Sequence, residues 1–335
     1  GVYANLMPQH AQRTLSPHLL FNTSQRVSGA GSVANAGKEA LEGILGASLP
    51  GWPPPTPTSL RKALSLYPRL PSYPLLTSVG CPYNCRFCAT PKLQPLFKRR
   101  AVDSIVDEIL AASRDRNTRD FVFYDDALLF EPDSHIKPLL ETLLKNHHGP
   151  PLRFHTPNGL SPRTVDFELA RLMKRAGFVR PRLSLESANP RHAAHMSGKV
   201  TTAEYRRALA HLHKAGYAPG DPITYILMGL KGQKAGEVAA SIQEAHSAGS
   251  TVTVASLAPI PGTPAHGDWN LPEDMDPLAL SNTVFLAYTA PRIIKDTPST
   301  DPLSELRNTA MGQDVSHLRT LARRGNRLFV NDSEK

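Results

Sequence analysis

The three cysteines of this chain lie close together in the segment GCPYNCRFCATP, residues 80–91. Cys81, Cys85 and Cys88 have the spacing C-x3-C-x2-C. Thiolates are soft ligands that suit zinc or iron–sulfur clusters. Because three cysteines cannot pair completely, and their close spacing does not suggest a secreted disulfide framework, they indicate a reducing compartment and a metal or catalytic use.

Three kinds of site are compatible with such a cysteine group. A structural zinc ion wants four ligands, usually in two distant pairs, so here it would need a remote histidine such as His155. A catalytic thiol is a weaker alternative, because neighbouring cysteines would invite its oxidation. A cubane [4Fe–4S] cluster normally takes four cysteines, and with three of them one iron is left open to bind another molecule. The cysteines by themselves therefore favour a cluster with one open iron.

The elements that must carry these residues alternate regularly from residue 75 onward. Short β-rich apolar runs predict strands at 75–80, 121–126, 153–157, 181–186, 223–229 and 251–257. Amphipathic patterns predict helices near 101–115, 134–147, 163–176, 201–215, 235–248 and 276–289. Helix starts are marked by Asp133 and Ser134, by Ser161-Pro162 and by Thr201-Thr202 with Glu204, and two helices end in Ala-Gly at 176–177 and 215–216.

Six consecutive βα units imply a parallel sheet with right-handed connections. Continued in one direction, they make three quarters of a (β/α)8 barrel, and the alternative is a doubly wound open sheet. In both cases the active site is expected beyond the carboxyl ends of the strands.

Polar and turn-forming residues follow the predicted strands. The ends of strands two to six carry Asp125 and Asp126, Asn158, Ser184 and Glu186, Gly229, and Pro261. Ser184 and Glu186 alternate with leucines, so both are expected to point to one side of the strand, toward the barrel interior. Simpler roles also fit, because Asp caps strand ends and Asn-Gly is turn chemistry. Candidates for substrate contacts in the next loop, equally compatible with solvated positions, are His192, His195 and Lys199.

The cysteine spacing, with the aromatic Phe87 just before the last cysteine, resembles that of the radical SAM superfamily. The resemblance covers roughly residues 70–290 and includes a G-x-x-G segment after strand five and a PxPGT turn after strand six. It implies an α/β fold, a partial (β/α)6 TIM-like barrel. In that family the three cysteines hold a [4Fe–4S] cluster, the open iron binds S-adenosylmethionine (SAM), and SAM is cleaved reductively to a 5′-deoxyadenosyl radical.

The resemblance also implies roles for the strand-end residues. Asp125 or Asp126 would bind the SAM amino group, although the commoner Gly-Gly-Glu of the family is absent. Ser184 and Glu186 fall where the family binds the ribose hydroxyls. The remaining implied cofactor contacts are Asn158, whose amide would meet substrate or SAM, Phe87 and Gly229, near the adenine, and Pro261, in the PxPGT turn.

Four regions are predicted along the chain. Residues 1–50 resemble the last third of a cobalamin-binding Rossmann-like domain, 51–70 form a proline-rich linker or wrapping arm, 71–290 form the barrel, and 291–335 are a C-terminal extension. The cobalamin motif D-x-H-x-x-G is missing, since Asp133-Ser134-His135 is followed by Pro138 in place of the glycine. The chain does not begin with Met, as in a fragment or processed product, and a complete upstream half would favour cobalamin as a further cofactor.

These observations predict a radical SAM enzyme that acts in a cobalamin-dependent methylation or rearrangement. The alternatives are a cobalamin-free radical SAM enzyme and a non-catalytic iron–sulfur redox scaffold. Expected partners are a small-molecule substrate and an external flavodoxin- or ferredoxin-like electron donor. The formal charge of +9 suits an anionic substrate or cofactor, and nucleic-acid binding is not expected. Without an apolar run of about 18 residues or a signal peptide, the expected location is cytoplasmic.

Overall fold

The computed structural model describes residues 71–196 and 200–269. Isolated positions outside these ranges are also described, namely Ser48, Leu64, Tyr67, Leu271, Leu280, Ser281, 320–321 (without 322) and 323–325. Lys199 therefore lies outside the described residues. So does most of the expected Rossmann-like segment, of the linker, of the predicted helix 276–289 and of the C-terminal extension.

Eight strands occur in the described part of the chain. They are β1 Tyr73–Leu75, β2 Ser78–Val79, β3 Lys98–Arg99, β4 Asp120–Phe123, β5 Arg153–His155, β6 Arg182–Glu186, β7 Ile223–Met228 and β8 Thr251–Ser256. The parallel strands pair in the orders β1-β4-β5 and β6-β7-β8. Parallel bridges between Phe154 and Phe178 and between Leu160 and Leu183 join the two groups.

The parallel strands thus follow one another in chain order, which confirms the partial (β/α)6 barrel. A doubly wound sheet would instead reverse the strand order partway. The first strand ends earlier than the predicted 75–80, because Ser78 pairs antiparallel with Arg99. The physical reason is that the amide N–H groups of Thr77 and Ser78 both bond to the Asp125 carboxylate.

In the same described part of the chain, eight α-helices lie between or after these strands. They are α1 Thr90–Leu93, α2 Val102–Asp115, α3 Ile136–Asn146, α4 Phe167–Ala176, α5 Pro190–Met196, α6 Thr202–Lys214, α7 Ala235–Ser247 and α8 Pro264–Gly267. Five of the predicted helices are confirmed within a few residues. The short α1, α5 and α8 lie in the loops at the carboxyl ends of β2, β6 and β8, where sequence periodicity cannot reveal single turns.

The helix ends match the predicted signals in part. Thr201 and Glu204 form the reciprocal capping box of α6, and Gly177 ends α4 with φ +98°. The predicted starts of α3 and α4 are wrong, because the segments 132–134 and 162–164 before them form 3-10 turns. Asp166 caps α4 instead, accepting the Leu169 N–H at 2.7 Å.

The main hydrophobic core lies between the sheet and its helices. A row of rings from adjacent strands, 5.4–5.7 Å apart, runs through Phe121, Phe123, Phe154 and Phe178. Leu64 is buried in the same core, so this part of the predicted linker packs on the barrel. No helix among the described residues is long and apolar enough to cross a membrane.

A second, smaller hydrophobic cluster lies around the segments that follow β6, β7 and β8. Its buried members are Met196, Leu227, Leu230, Leu257, Ala265 and Leu280. Phe87, from the cysteine segment, packs against this cluster together with Trp269. Apolar contact thus joins the cysteine loop to the far side of the barrel.

Candidate active site

The cysteine loop leaves β2 through Gly80 and runs to α1. Gly80 has φ +80°, and a Cβ there would lie 2.4 Å from the carbonyl oxygen of Leu96, so only glycine fits. The thiols of Cys81, Cys85 and Cys88 are all half-buried. Cys81 Sγ lies 3.9 Å from the carbonyl oxygen of Asp126, which brings the loop against the carboxyl end of β4.

Hydrogen bonds from two other strand-end segments hold this loop. The N–H of Arg86 donates to the carbonyl of Met196 at 2.8 Å, and the carbonyl of Arg86 accepts the N–H of Ala265 at 3.0 Å. The Arg86 guanidinium also pairs with Asp268 at 2.7 Å. Burial opposes ionisation of Asp268, but bonds from Arg86 and His195 outweigh it and hold its pKa below the ordinary range. The cysteine loop is therefore fixed at its centre.

The three thiols are not grouped as the ligands of a single zinc ion would be. Within the described residues, no group of three ligand atoms lying within 4.8 Å of one another contains a cysteine. Three thiolates on one zinc ion would lie about 4 Å apart, given Zn–S bonds of about 2.3 Å. His155, the fourth ligand that a zinc site would need, bonds instead to Asp120 at the start of β4, 2.8 Å away. The donor set thus suits a cluster in which each thiolate binds its own iron.

The described part of the chain has one group of three clustered ligands, the carboxylates of Asp133, Asp166 and Glu168. The ammonium of Lys137 lies 2.7–3.0 Å from all three. The three carboxylate bonds outweigh the burial of Lys137 and raise its pKa above the ordinary value. This group is therefore a buried-lysine ion network.

Asp125 is a buried structural acceptor. Its carboxylate accepts the N–H and hydroxyl groups of Thr77 and Ser78 at 2.6–3.1 Å. The buried ring of His135 lies 2.8 Å from the Thr77 hydroxyl, so the Asp133-Ser134-His135 segment turns its histidine into the protein interior. The geometry thus commits Asp125 to the turn after β1, while the side chain of Asp126, the next residue, is exposed.

Asn158 ties together the ends of two strands. Its Nδ2 donates to the carbonyls of Tyr124 and Asp125 at 2.9 and 3.2 Å. The amide nitrogen therefore has a structural role at the barrel mouth, beside the residues that follow β4.

The end of β6 is irregular at Glu186. A β-bulge shifts the register between Ser184 and Glu186, and Glu186 has φ +64°, a strained conformation for a residue with a side chain. The bulge inserts Leu185 and so interrupts the simple alternation on which the expected direction of Ser184 and Glu186 depends; that both side chains face the barrel interior stays a prediction. Strain of this kind, of order 1–3 kcal/mol, clusters at functional sites.

Tyr225 is a site residue that the sequence analysis missed. It lies beside Ser184 in the β6–β7 register, and its hydroxyl donates to the carbonyl of Pro157 at 2.8 Å. A Cβ on Gly159 would lie 1.9 Å from Ser184 Oγ and 3.2 Å from the Tyr225 ring. Its place in the run ITYILM, out of phase with the core residues Ile226 and Met228, is the signal that could have identified it.

The loops after β7 and β8 are held by their own side chains. Gly229, with φ +91°, donates its N–H to the buried Gln233 Oε1 at 2.9 Å, and Gln233 Nε2 donates to the Leu227 carbonyl at 3.1 Å. The half-buried Pro261 precedes Gly262, whose φ is +79°. Gln233 was another residue missed, because a glutamine in a loop carries no sequence signal of burial.

The two described histidines of the β6 loop bind carboxylates of neighbouring segments. His192 Nε2 lies 3.2 Å from Glu237 of α7, and His195 Nε2 lies 3.2 Å from Asp268. A bond from the backbone N–H of Lys234 leads the contacts that hold the pKa of Glu237 below its ordinary range. These contacts fix the loop after β6 at both ends of α5.

Comparison with known proteins agrees with this fold and donor set. Residues 75–245 match the family model of the Radical SAM superfamily. The chain therefore belongs to the radical SAM superfamily, whose members bind a [4Fe–4S] cluster and SAM.

Relatives among characterised proteins are methyltransferases. The chain is 30% identical over 146 residues to bacteriochlorophyllide d C-12(1)-methyltransferase of Chlorobaculum tepidum, covering 42% of the chain and 30% of that protein. It is 29% identical over 200 residues to cytidylyl-2-hydroxyethylphosphonate methyltransferase of Streptomyces wedmorensis, covering 56% of the chain and 36% of that protein. The matches span about a third of the length of each relative.

A solved structure shares the fold. The radical SAM methyltransferase TsrM from Kitasatospora setae, determined with tryptophan substrate and a SAM analogue bound, aligns with a TM-score of 0.52 at 21% identity. The alignment covers 62% of this chain and 40% of that one. A second TsrM structure contains cobalamin and a [4Fe–4S] cluster.

Proposed function

We propose that this chain cleaves SAM reductively at a [4Fe–4S] cluster held by Cys81, Cys85 and Cys88. The 5′-deoxyadenosyl radical would take a hydrogen atom from a small-molecule substrate. A second SAM molecule would then supply the methyl group that the substrate radical receives, with the electrons coming from an external donor. The observation that carries the proposal is the position of the three half-buried thiols, on a loop fixed at the carboxyl ends of the strands. When bound, the cluster supplies the electron that breaks a carbon–sulfur bond of SAM and yields methionine and a 5′-deoxyadenosyl radical.

The residues of the chain would bind and orient SAM. Asp126 is our candidate for the ammonium group, because its carboxylate is exposed and its own carbonyl oxygen lies 3.9 Å from Cys81 Sγ. Glu186 is the candidate for the ribose hydroxyls, supported by its strained, half-buried position at the end of β6. Asp125 is left out of the contacts, because its carboxylate serves the turn after β1.

The other predicted contacts form the walls of the same site. Phe87 packs in the second hydrophobic cluster with Leu227 and Leu257, which offers an apolar surface for the adenine. Gly229 and Pro261 leave backbone close to that surface, and Ser184 and Asn158 lie toward β5 and β6. A closed, apolar wall would exclude water from a reactive radical.

Methyl transfer is the reaction class that the relatives support. Both characterised relatives are methyltransferases, and cobalamin is present in one structure of the similar fold. The segment 1–50, on which the cobalamin expectation depends, lies outside the described residues, so we assign no residue to cobalamin. A cobalamin-free radical SAM enzyme is the second candidate, supported by the barrel and cysteines alone.

Anaerobic reconstitution of the full chain tests the cluster. We expect about four irons per chain and formation of methionine and 5′-deoxyadenosine when dithionite and SAM are added. Cys85→Ala should abolish both, while Asn84→Ala, an exposed non-ligand neighbour in the loop, should retain both. Reductive SAM cleavage by a Cys85→Ala protein would refute the assignment.

Cobalamin is tested separately by gel filtration of the reconstituted chain with hydroxocobalamin. Co-elution of the corrinoid with the protein supports the cobalamin-dependent class. SAM cleavage without any retained corrinoid would favour the cobalamin-free alternative, and a cluster that binds no SAM would favour a redox scaffold.

A further inference from the structure

The ion pair between Arg86 and Asp268 joins the cysteine loop to the segment that follows β8. The guanidinium Nη2 lies 2.7 Å from Asp268 Oδ1, and both side chains are half-buried, with 33% and 23% exposed. The other carboxylate oxygen of Asp268 lies 3.2 Å from His195 Nε2, and the Asp268 carbonyl accepts the Lys231 ammonium. Segments following β2, β6, β7 and β8 therefore meet at this pair.

Arg86 also carries a buried donor that no described residue accepts. Its Nε is buried and has no hydrogen-bond partner among the residues that the structure describes. The main chain on both sides is fixed by Met196 and Ala265, so the root of the side chain cannot move freely. Buried polar groups in proteins are nearly always satisfied, and an unsatisfied one needs an explanation.

The explanation we favour is the position of Arg86 within the cysteine motif. Cys85 directly precedes it, and Cys88 follows two residues later. The reduction potential of a cluster depends on the net charge nearby, on hydrogen bonds to its sulfurs and on burial. A cationic donor at this point favours the reduced cluster, which carries one more negative charge, and a carboxylate opposes it.

We propose that Arg86 and Asp268 form a charge pair that positions the cysteine loop and sets the reduction potential of the cluster bound there. This inference rests on the proposed function. Arg86 and Asp268 are positioning residues. Both would act on the cluster through the conformation of the cysteine loop and through their charges.

The two partners give opposite expectations, which separates charge from mere attachment. Arg86→Gln leaves the Asp268 carboxylate unbalanced, so the midpoint potential should fall. Asp268→Asn leaves the Arg86 cation unbalanced, so the midpoint potential should rise. If the pair were only a mechanical link, both substitutions would break the same contact and move the potential in the same direction. Arg86→Lys, which keeps the charge, should lie near the wild type.

The midpoint potential is measured by anaerobic redox titration of the reconstituted full chain without SAM, with the EPR signal of the reduced cluster as the readout. Arg206→Gln, which removes an exposed cation paired with Glu244 on the helical surface, is the control for net charge and should leave the potential unchanged. The melting temperature of each cluster-free variant reports whether it folds.

Shifts of opposite sign for Arg86→Gln and Asp268→Asn support the inference. Shifts of the same sign, or none, in variants that retain their clusters would overturn it. If Arg86→Gln folds but holds no iron, Arg86→Lys is compared with Asp268→Asn. A higher midpoint potential in Asp268→Asn than in Arg86→Lys supports the inference, and equal potentials overturn it. Failure of the wild type to assemble any cluster would refute the proposed function instead.

Discussion

Asp125 and Asp126 are adjacent acids for which the structure predicts opposite consequences of substitution. Asp125 is 3% exposed and accepts hydrogen bonds from the backbone N–H groups of Thr77 and Ser78, which are themselves buried. Replacement of Asp125 by Ala leaves two buried N–H groups without an acceptor, while the two hydroxyls can turn to other partners. At about 1–3 kcal/mol for each orphaned group, the unfolding free energy should fall by about 4 kcal/mol.

The expected loss is large enough for a thermal assay. For a domain of this size, 1 kcal/mol corresponds to roughly 2–4 °C, so the cluster-free Asp125→Ala protein should melt about 10 °C below the wild type. Asp126→Ala removes an exposed carboxylate, whose surface contacts are worth little, so the unfolding free energy should fall by less than about 1 kcal/mol. Circular dichroism at the same protein concentration compares the two variants.

SAM binding should give the reverse order. Loss of one charge-assisted contact costs about 1.5–3 kcal/mol, so Asp126→Ala should bind SAM roughly tenfold to 100-fold more weakly. Isothermal titration of SAM into the reconstituted proteins measures this. The reasoning is refuted if Asp125→Ala melts within about 2 °C of the wild type, or if folded Asp125→Ala loses SAM affinity while Asp126→Ala retains it.

Three further predictions concern packing, strain and pH. Gly159→Ala should destabilise the fold by about 2 kcal/mol or more, because the new Cβ would clash with Ser184 Oγ. The cost should be smaller when Ser184 is also replaced by Ala. Additive costs of the two substitutions in urea unfolding would contradict the clash. Glu186→Gly should be about 1 kcal/mol more stable than Glu186→Ala, because both lose the side chain but only glycine adopts φ +64° without strain. Both variants should weaken SAM binding, and equal stabilities of the two in urea unfolding would contradict the strain. Burial, assisted by the charge of Arg99, lowers the pKa of His135. The neutral His135 ring therefore contributes its full stability above the unfolded pKa near 6.5, and this contribution is lost as the pH falls. His135→Asn should flatten the dependence of the unfolding free energy on pH between about pH 5 and 7, and an unchanged slope would count against a buried neutral ring.

The sequence predicted the barrel because its information is periodic. Each βα unit repeats the same pattern of apolar strand and amphipathic helix, and five of the predicted helices and all six parallel strands occur in the structure. Boundaries shifted where a local polar contact competed with the pattern. Asp125 draws the amides of Thr77 and Ser78 away from the sheet, and 3-10 turns take the segments 132–134 and 162–164.

Site residues could be predicted from the sequence only where they lie close together along the chain. Three cysteines within one loop can bind a metal centre together, so their type and spacing favoured a cluster, and the resemblance to the radical SAM superfamily added SAM as its partner. Gln233 and Tyr225 could not be found in this way, because their contacts with Gly229 and Pro157 depend on where neighbouring strands end.

The sequence by itself thus determined the order of the strands and the family to which the chain belongs, because both depend on patterns of residues close together in the chain. The tertiary structure decided which of two adjacent acids is buried and that a bulge interrupts β6 at Glu186. It also decided that Arg86 of the cysteine loop meets Asp268, which lies 182 residues away along the chain. Burial, strain and long-range pairing depend on elements brought together from distant parts of the chain, and a local pattern does not contain that information.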